Sequence, residues 1–181
     1  MKRSLHIFLL AVLLLTFPFF CSTCSEKPSS PSVLVHFSPH GGCTDAVIRE
    51  VNSARSSIFV QAYSFTSAPI AKSLLNAHKR GVKVAIILDK GQVSQRYSSL
   101  KFFLNQGIPA KIDSAHAIAH NKIMIIDGET VITGSFNFTK AAEENNAENL
   151  LVIHDKKLAD LYARNWQDHD SHSNGYRGIE K

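Results

Sequence analysis

The 181-residue sequence is poor in cysteine, glycine and proline, with 3 Cys, 9 Gly and 6 Pro. Three cysteines are too few for a disulfide scaffold, and so little glycine and proline excludes collagen-like and low-complexity chains. Charged residues make up 19% and hydrophobic residues 44%, a balance that excludes an intrinsically disordered protein. The sequence has one long apolar run, which excludes a polytopic membrane protein. Length and composition therefore indicate one ordinary globular domain.

Positive charge is in mild excess, with 20 Lys and Arg against 15 Asp and Glu and a formal net charge of +5. This excess permits a polyanionic partner such as nucleic acid. It does not require one, because many solvated surfaces are equally basic. The substrate class therefore has to be inferred from motifs.

Residues 1–24 are predicted to be a signal peptide. A basic head is followed by an apolar stretch over 7–20 and then by small residues, which is the pattern of a secretory signal. That stretch is short for a helix that must cross roughly 30 Å of hydrocarbon. An uncleaved anchor and a lipid-modified Cys21 or Cys24 remain as alternatives. We expect an exported protein, periplasmic or secreted, with a flexible lead over 25–32.

Strands that alternate with amphipathic helices predict an α/β domain over residues 33–170, with a mixed β-sheet flanked by helices on both faces. A hairpin is expected between residues 120 and 134, with its turn at Asp127-Gly128. Thr44 and Ser67 are the expected N-caps of the first two helices. Residues 171–181 are expected to form a polar tail. The other strands are predicted at 33–37, 57–63, 83–89, 108–112 and 149–153, and the later helices near 98–105 and 155–168.

The chemistry is predicted to lie in the pattern H-x-K-x4-D-x6-G-S-x-N, which starts at His120. Side chains alternate along a strand, so His120 and Lys122 project from one face about 7 Å apart. Antiparallel pairing in the hairpin returns Ser135 and Asn137 toward them. One imidazole, one ammonium, one hydroxyl and one amide suit an oxyanion such as a phosphodiester.

Each part of this pattern has an ordinary structural explanation when it is taken alone. A histidine near a lysine is usually a surface pair, Asp127-Gly128 is usually a turn, and Gly134-Ser135 is usually a loop. The six positions together, with strand periodicity between them, make coincidence an inadequate explanation. We therefore interpret the pattern as a phosphodiester site.

The pattern resembles the signature of the phospholipase D superfamily. The stretches AYSFT at 62–66, KRGV at 79–82 and GSFNFTKAA at 134–142 resemble its small bacterial exported endonuclease branch. The likeness extends over residues 33–168. It implies a phospholipase D/nuclease-like single domain and a phosphodiesterase that forms a phosphohistidine intermediate and needs no metal or cofactor.

The resemblance also implies a role for each matching residue. His120 would be the nucleophile, and Lys122 and Asn137 would bind the phosphate. Ser135 would support the phosphate site, and Glu148 would match the acidic residue that orients the histidine. Asp127 belongs to the signature, but its position at the turn indicates a structural, hydrogen-bonding role more than direct chemistry.

A double displacement needs two histidines, one to attack phosphorus and one to protonate the leaving oxygen. The chain carries one motif, so we predict a homodimer in which both subunits contribute to one composite active site. His116 is the rival second histidine. His154, His169 and His172 have no metal-ligand spacing and are expected to be solvated, and Tyr63 and Phe65 are candidate pocket residues.

Three functions compete at this stage. The first is a nuclease with little sequence preference that cleaves DNA, with RNA left open as a second substrate. The second is a lipid phosphodiesterase of the phospholipase D type, acting on phosphatidylcholine or a similar phospholipid, because the motif reads only the phosphodiester. The third is a catalytically silent nucleic-acid-binding protein, which the complete motif disfavours.

Overall fold

The computed structural model describes residues 31–176, so the predicted signal peptide, most of the flexible lead and residues 177–181 lie outside the described residues. The strands are β1 Ser32–Ser38, β2 Ser57–Ala62, β3 Lys83–Asp89, β4 Ala110–Asp113, β5 Lys122–Ile126, β6 Thr130–Gly134, β7 Glu148–His154 and β8 Asn174–Gly175. The helices are α1 Cys43–Ser53, α2 Ala68–Lys79, α3 Leu100–Asn105, α4 Lys140–Glu144 and α5 Lys156–His172, and a 3₁₀ turn spans Lys90–Val93.

The strands form one mixed sheet in the order β1-β7-β6-β5-β2-β3-β4-β8. Strands β2, β3 and β4 are parallel, and α2 and α3 make the two crossovers that parallel neighbours require. The remaining pairs are antiparallel, including the predicted hairpin of β5 and β6. The prediction of a mixed sheet in an α/β domain is therefore confirmed.

Helices cover both faces of the sheet. Side chains alternate along each strand, so one strand can contribute apolar side chains to the core on each face. On one face, Val84, Ile86 and Leu88 of β3 join a large core with residues from α1 to α4. On the other face, Ile87 joins a smaller core that includes Trp166 of α5. Burial on both faces accounts for the nearly continuous apolar run of β3.

The start of α1 differs from the prediction, because Thr44 does not cap the helix. The helix begins at Cys43 after Gly42, whose φ of 78° is in the left-handed region. The carboxylate of Glu143 accepts hydrogen bonds from the backbone N–H groups of Gly42 and Thr44, at 3.1 and 2.6 Å. Glu143 lies on α4, a five-residue helix that the sequence analysis does not predict. A distant carboxylate thus takes the place of a local cap.

The end of the domain is more ordered than predicted. Helix α5 continues to His172, and Ser173 then leads into β8, which pairs antiparallel with β4. This extension brings the last turn of α5 against the end of β4. Within residues 31–176, no helix is both long and apolar enough to cross a bilayer.

Candidate active site

The predicted site lies at one end of the sheet, where β2 and β6 finish and β5 and β7 begin. The register pairs Ala62 with Lys122, Gly134 with Leu150 and Ser38 with Glu148. These pairs bring residues that are distant in sequence to the same end of four neighbouring strands. The topology therefore brings His120, Lys122, Ser135 and Glu148 to the same end of the sheet.

His120, Lys122 and Tyr63 form the centre of the site. His120 is exposed, whereas Lys122 is 7% exposed. The Lys122 Nζ donates a hydrogen bond to the backbone oxygen of His120 at 2.7 Å. The buried ammonium is therefore held against the backbone of the exposed His120.

Tyr63, which directly follows β2, contacts both His120 and Lys122. Its ring centroid is 4.5 Å from that of His120 and 5.0 Å from the Lys122 Nζ, and its backbone N–H donates to the oxygen of Asn121 at 2.8 Å. The aromatic face stabilises the ammonium and limits the orientations that the imidazole can adopt. Of the two candidate pocket residues, Tyr63 therefore contacts the site, whereas Phe65 is fully buried against Phe103 and Phe138.

The pKa of Lys122 is shifted downward. Burial lowers this pKa because it disfavours the charged form, and the nearby negative charge of Glu148 partly opposes the shift. Glu148 therefore acts on the site electrostatically. Within the described residues, its carboxylate accepts a hydrogen bond from the Asn146 Nδ2 at 3.2 Å, and no direct bond to His120 is formed.

Ser135 and Asn137 follow β6 on the loop that borders the site. The Ser135 Oγ accepts a hydrogen bond from the backbone N–H of Asn149 at 3.1 Å, so this hydroxyl fixes the loop to β7. Gly134, with φ of 138°, lets the end of β6 lie close to β7, because a Cβ there would be 2.4 Å from the Asn149 backbone oxygen. The Asn137 Oδ1 is buried and has no hydrogen-bond partner within residues 31–176. A buried amide oxygen without a partner among these residues is suited to a polar ligand.

Asp127 lies at the opposite end of β5 from Lys122. Its carboxylate accepts the backbone N–H groups of Arg55, Ser56 and Ser57 at 2.8 to 2.9 Å, together with the Ser56 hydroxyl. Burial alone would raise the pKa of Asp127, but these hydrogen bonds together hold it below its usual range. The structure thus uses Asp127 to fix the segment before β2 to the hairpin turn, away from the reacting groups.

A second group of polar side chains was missed by the sequence analysis. Its four members surround one point at the far edge of the sheet, and we name it the histidine cluster: Asp113, His116, His169 and His172. The expectation that His169 and His172 are scattered is therefore wrong, and the His169 side chain is only 13% exposed, whereas His172 is exposed as expected. The spacing H-x2-H at 169–172 was the available signal, since residues three apart share a helix face, and D-x2-H at 113–116 follows a strand.

The histidine cluster also changes the interpretation of His116. Its ring centroid lies 4.8 Å from that of His169 and 5.2 Å from that of His172, and its Nδ1 is 3.0 Å from the Asp113 Oδ2. The imidazole is therefore engaged by groups other than His120. This observation disfavours His116 as the second histidine of the reaction.

Comparisons with known proteins identify the family. Residues 47–169 match the family described as cardiolipin synthase, PLD-like domain. The chain is 43% identical over 146 residues to a phospholipase D of Rickettsia prowazekii, a match that covers 81% of this chain and 71% of that protein. It is 44% identical to the crystal structure of Nuc from Salmonella typhimurium, a phospholipase D family member, with a TM-score of 0.79 over 82% of this chain and all of that one. NucT from Helicobacter pylori is 25% identical, with a TM-score of 0.74 over 81% of this chain and all of that one.

The fold and these relatives are those of a phosphodiester-processing enzyme. The chain belongs to the phospholipase D superfamily. Within that superfamily it is a hydrolase of phosphodiester bonds.

Proposed function

We propose that this chain is an endonuclease with little sequence preference, which cleaves DNA and also accepts RNA through a phosphohistidine intermediate. The observation that carries the proposal is the exposed His120 and the buried Lys122 ammonium in contact with the same Tyr63 ring, with the ammonium hydrogen-bonded to the His120 backbone oxygen at 2.7 Å. His120 would attack phosphorus and form a phosphorus–nitrogen bond as the bond to the leaving oxygen breaks, and water would then displace the histidine. Lys122 and Asn137 would stabilise the charge that develops on the non-bridging oxygens. Its solved neighbours Nuc and NucT, from the bacterial nuclease branch, support this choice.

The surface near the site suits a nucleic acid. The segment after β3 lies at the same end of the sheet as His120 and carries Lys90, Arg96 and Tyr97. The Arg96 guanidinium is 5.3 Å from the Tyr97 ring centroid, and Tyr97 is 72% exposed. The exposed aromatic ring can stack on a base, and the cation beside it can neutralise a phosphate; neither contact depends on the base sequence.

A phospholipid is the second candidate substrate, and a specific observation favours it. Ile118, two residues before His120, is 58% exposed, and Phe37, beside the strand pair of Ser38 and Glu148, is 65% exposed. Apolar side chains at the rim of a phosphodiester site could enter a lipid surface. The Rickettsia relative that is 43% identical also carries the name phospholipase D.

Incubation of the purified protein with supercoiled plasmid and with phosphatidylcholine vesicles separates these functions. We expect plasmid cleavage to persist in EDTA, because the proposed mechanism needs no metal at phosphorus. Choline release with intact plasmid would instead establish the lipid function. Retention on DNA with neither product would indicate a catalytically silent binding protein.

We further propose that two chains form one composite active site. The mechanism needs a second imidazole as general acid, the chain carries one motif, and His116 faces the histidine cluster. In a twofold dimer, the ends of the two sheets that carry the site could meet. The partner would then supply a second His120, together with its own Lys122, Asn137 and Glu148.

Heterodimers test the shared site. One wild-type chain and one His120→Ala chain, carrying different affinity tags, can be co-expressed and purified through both tags. If the site is shared, we expect the heterodimer to be almost inactive, since one of the two imidazoles is missing. Independent sites would leave about half of the wild-type rate per dimer.

The matched control is a heterodimer of wild type with His154→Ala. His154 is a strand histidine at the opposite end of β7, where its Nδ1 lies 2.9 Å from the Thr130 hydroxyl. This heterodimer should keep the wild-type rate. Full activity from a protein that sediments as a monomer at the assay concentration would disprove the shared site.

A further inference from the structure

The histidine cluster joins three parts of the chain that are separate in sequence. Asp113 ends β4, His116 lies on the loop over residues 114–121, and His169 and His172 occupy the last turn of α5. That loop ends at His120 and Asn121, directly before β5. Any ligand held by all four side chains would therefore fix α5 to the loop that carries the proposed nucleophile.

We propose that the histidine cluster binds one transition-metal ion of the Zn²⁺ class as a structural site, distinct from the phosphodiester site. One ligand atom from each of the four residues lies within 4.8 Å of all the others. From the Asp113 Oδ2, the distances are 2.8 Å to the His169 Nδ1 and 3.0 Å to the His116 Nδ1. The distance to the His172 Nε2 is 3.4 Å.

These distances match the separation that a tetrahedral ion requires. With zinc–ligand bonds of about 2.0–2.1 Å, neighbouring ligand atoms in a tetrahedral site are about 3.3 Å apart. Small rotations of the imidazoles are therefore sufficient to close four ligands around one ion. Four protein ligands complete the tetrahedron, which is the arrangement of structural zinc sites and not of catalytic ones.

The chemistry of the donors also selects this class of metal. Three imidazole nitrogens and one carboxylate oxygen suit Zn²⁺ and its neighbours better than Ca²⁺ or Mg²⁺, which prefer oxygen ligands. The Asp113 side chain is fully buried, and its Oδ1 accepts the backbone N–H of Ala115 at 3.1 Å, which orients the carboxylate. The last turn of a helix favours a cation through the helix dipole.

An ordinary hydrogen-bond cluster is the alternative explanation. In that case three separate imidazoles would each turn an N–H toward the same oxygen of Asp113. With the backbone N–H of Ala115 on the other oxygen, the carboxylate would then need four donors to be turned toward it at once, which fills its whole capacity as an acceptor. A shared ion accounts for all three nitrogens facing one point.

The site is too far from Lys122 for the ion to reach the reacting phosphate. Strands β2 and β3 separate β4 from β5 in the sheet, and a spacing of about 4.8 Å per strand gives about 14 Å between them. A structural metal at β4 is therefore compatible with hydrolysis that uses no metal. Its expected effects are on the stability of the fold and on the order of the loop that precedes His120.

The test uses the full chain carrying His120→Ala, so that no readout depends on phosphodiester cleavage. After EDTA treatment and removal of the chelator, the protein is titrated with ZnCl₂, and bound metal is measured by mass spectrometry. We expect one equivalent to bind. At a Zn²⁺ concentration about 100 times the dissociation constant, Tm should rise by roughly 5–10 °C.

Variants assign the binding to the histidine cluster. His116→Ala and His172→Ala remove the two more exposed imidazoles, so both variants should fold, and each should lose the bound equivalent and the rise in Tm. His78→Ala is the matched control, because His78 is a histidine in the last turn of α2 and should leave binding unchanged. Co²⁺ in place of Zn²⁺ should give the intense visible absorption of a tetrahedral site in the control and not in the two cluster variants.

Two outcomes would overturn the proposal. One is a protein with no bound equivalent and no Zn²⁺-dependent change in Tm, which would establish the hydrogen-bond cluster. The other is binding of equal strength in His172→Ala and His78→Ala, which would show adventitious binding to surface histidines. A phosphodiester cleavage result of either sign leaves this test unaffected, so the two proposals can fail separately.

Discussion

His120→Ala is expected to lower the cleavage rate by at least about 10⁴-fold, because it removes both the attacking group and the general acid from a shared site. His120 is exposed and contributes its ring to no apolar core, so the variant should unfold at nearly the wild-type temperature. The measurement is plasmid cleavage by single-turnover kinetics, accompanied by thermal unfolding followed by circular dichroism.

The control for this prediction is His154→Ala, a histidine on a strand at the far end of the sheet. It should retain the wild-type rate, since the His154 ring is hydrogen-bonded to the Thr130 hydroxyl, away from the proposed site. Wild-type reactions quenched with denaturant at alkaline pH, where a histidine–phosphorus bond survives, should also contain a covalent protein–DNA adduct that His120→Ala does not form. A wild-type rate from His120→Ala would mean that another group attacks phosphorus.

Much of the fold could be predicted from local pattern. The run KVAIILD at 83–89 predicted a buried strand, and β3 occupies those residues with both faces covered. Asp127-Gly128 predicted the turn of the hairpin, and both residues have positive φ, of 55° and 67°. Alternation between strand and helix predicted the layers. In each case neighbours in sequence carry the signal, because they are also neighbours in the element.

The missed features depend on contacts between distant residues. Glu143 caps α1 across about a hundred positions, so nothing near Thr44 in the sequence indicates that its hydroxyl is unnecessary. Helix α4 has five residues, which is too short to show the 3.6-residue period. In such cases tertiary packing, and not local preference, decides which group satisfies a helix end.

The site, like the fold, could be predicted only where its residues lie close together in sequence. The pattern from His120 to Asn137 lies within one hairpin and its flanking loops, so it is local in sequence. Strand alternation does not place His120, however, because β5 begins only at Lys122 and His120 lies on the loop before it. Tyr63 reaches the site because β2 pairs with β5, a pairing that the order of the strands in the sequence does not reveal. The histidine cluster depends on α5 returning to β4, more than fifty residues away in sequence.

Lys122→Met is the second substitution with a large expected effect, and it should separate activity from stability. Methionine keeps an unbranched apolar chain in the buried site but removes the ammonium that we propose to stabilise charge on the phosphate oxygens. Loss of one such group lowers catalytic rates by about 10²- to 10³-fold. We expect that decrease mainly in the rate of the chemical step at saturating plasmid.

The same substitution should leave Tm unchanged or raise it, because a buried ammonium is unfavourable for folding. Burial lowers the pKa of Lys122, so the folded protein binds this proton less tightly than the unfolded chain does. The penalty is complete below the folded-state pKa and disappears as the pH rises toward the unfolded value of about 10.4. The stability of wild type relative to Lys122→Met should therefore increase across the alkaline range, as measured by urea unfolding at several pH values. A marked fall in Tm for Lys122→Met at neutral pH, with little loss of cleavage, would instead identify Lys122 as a structural residue and remove it from the proposed mechanism.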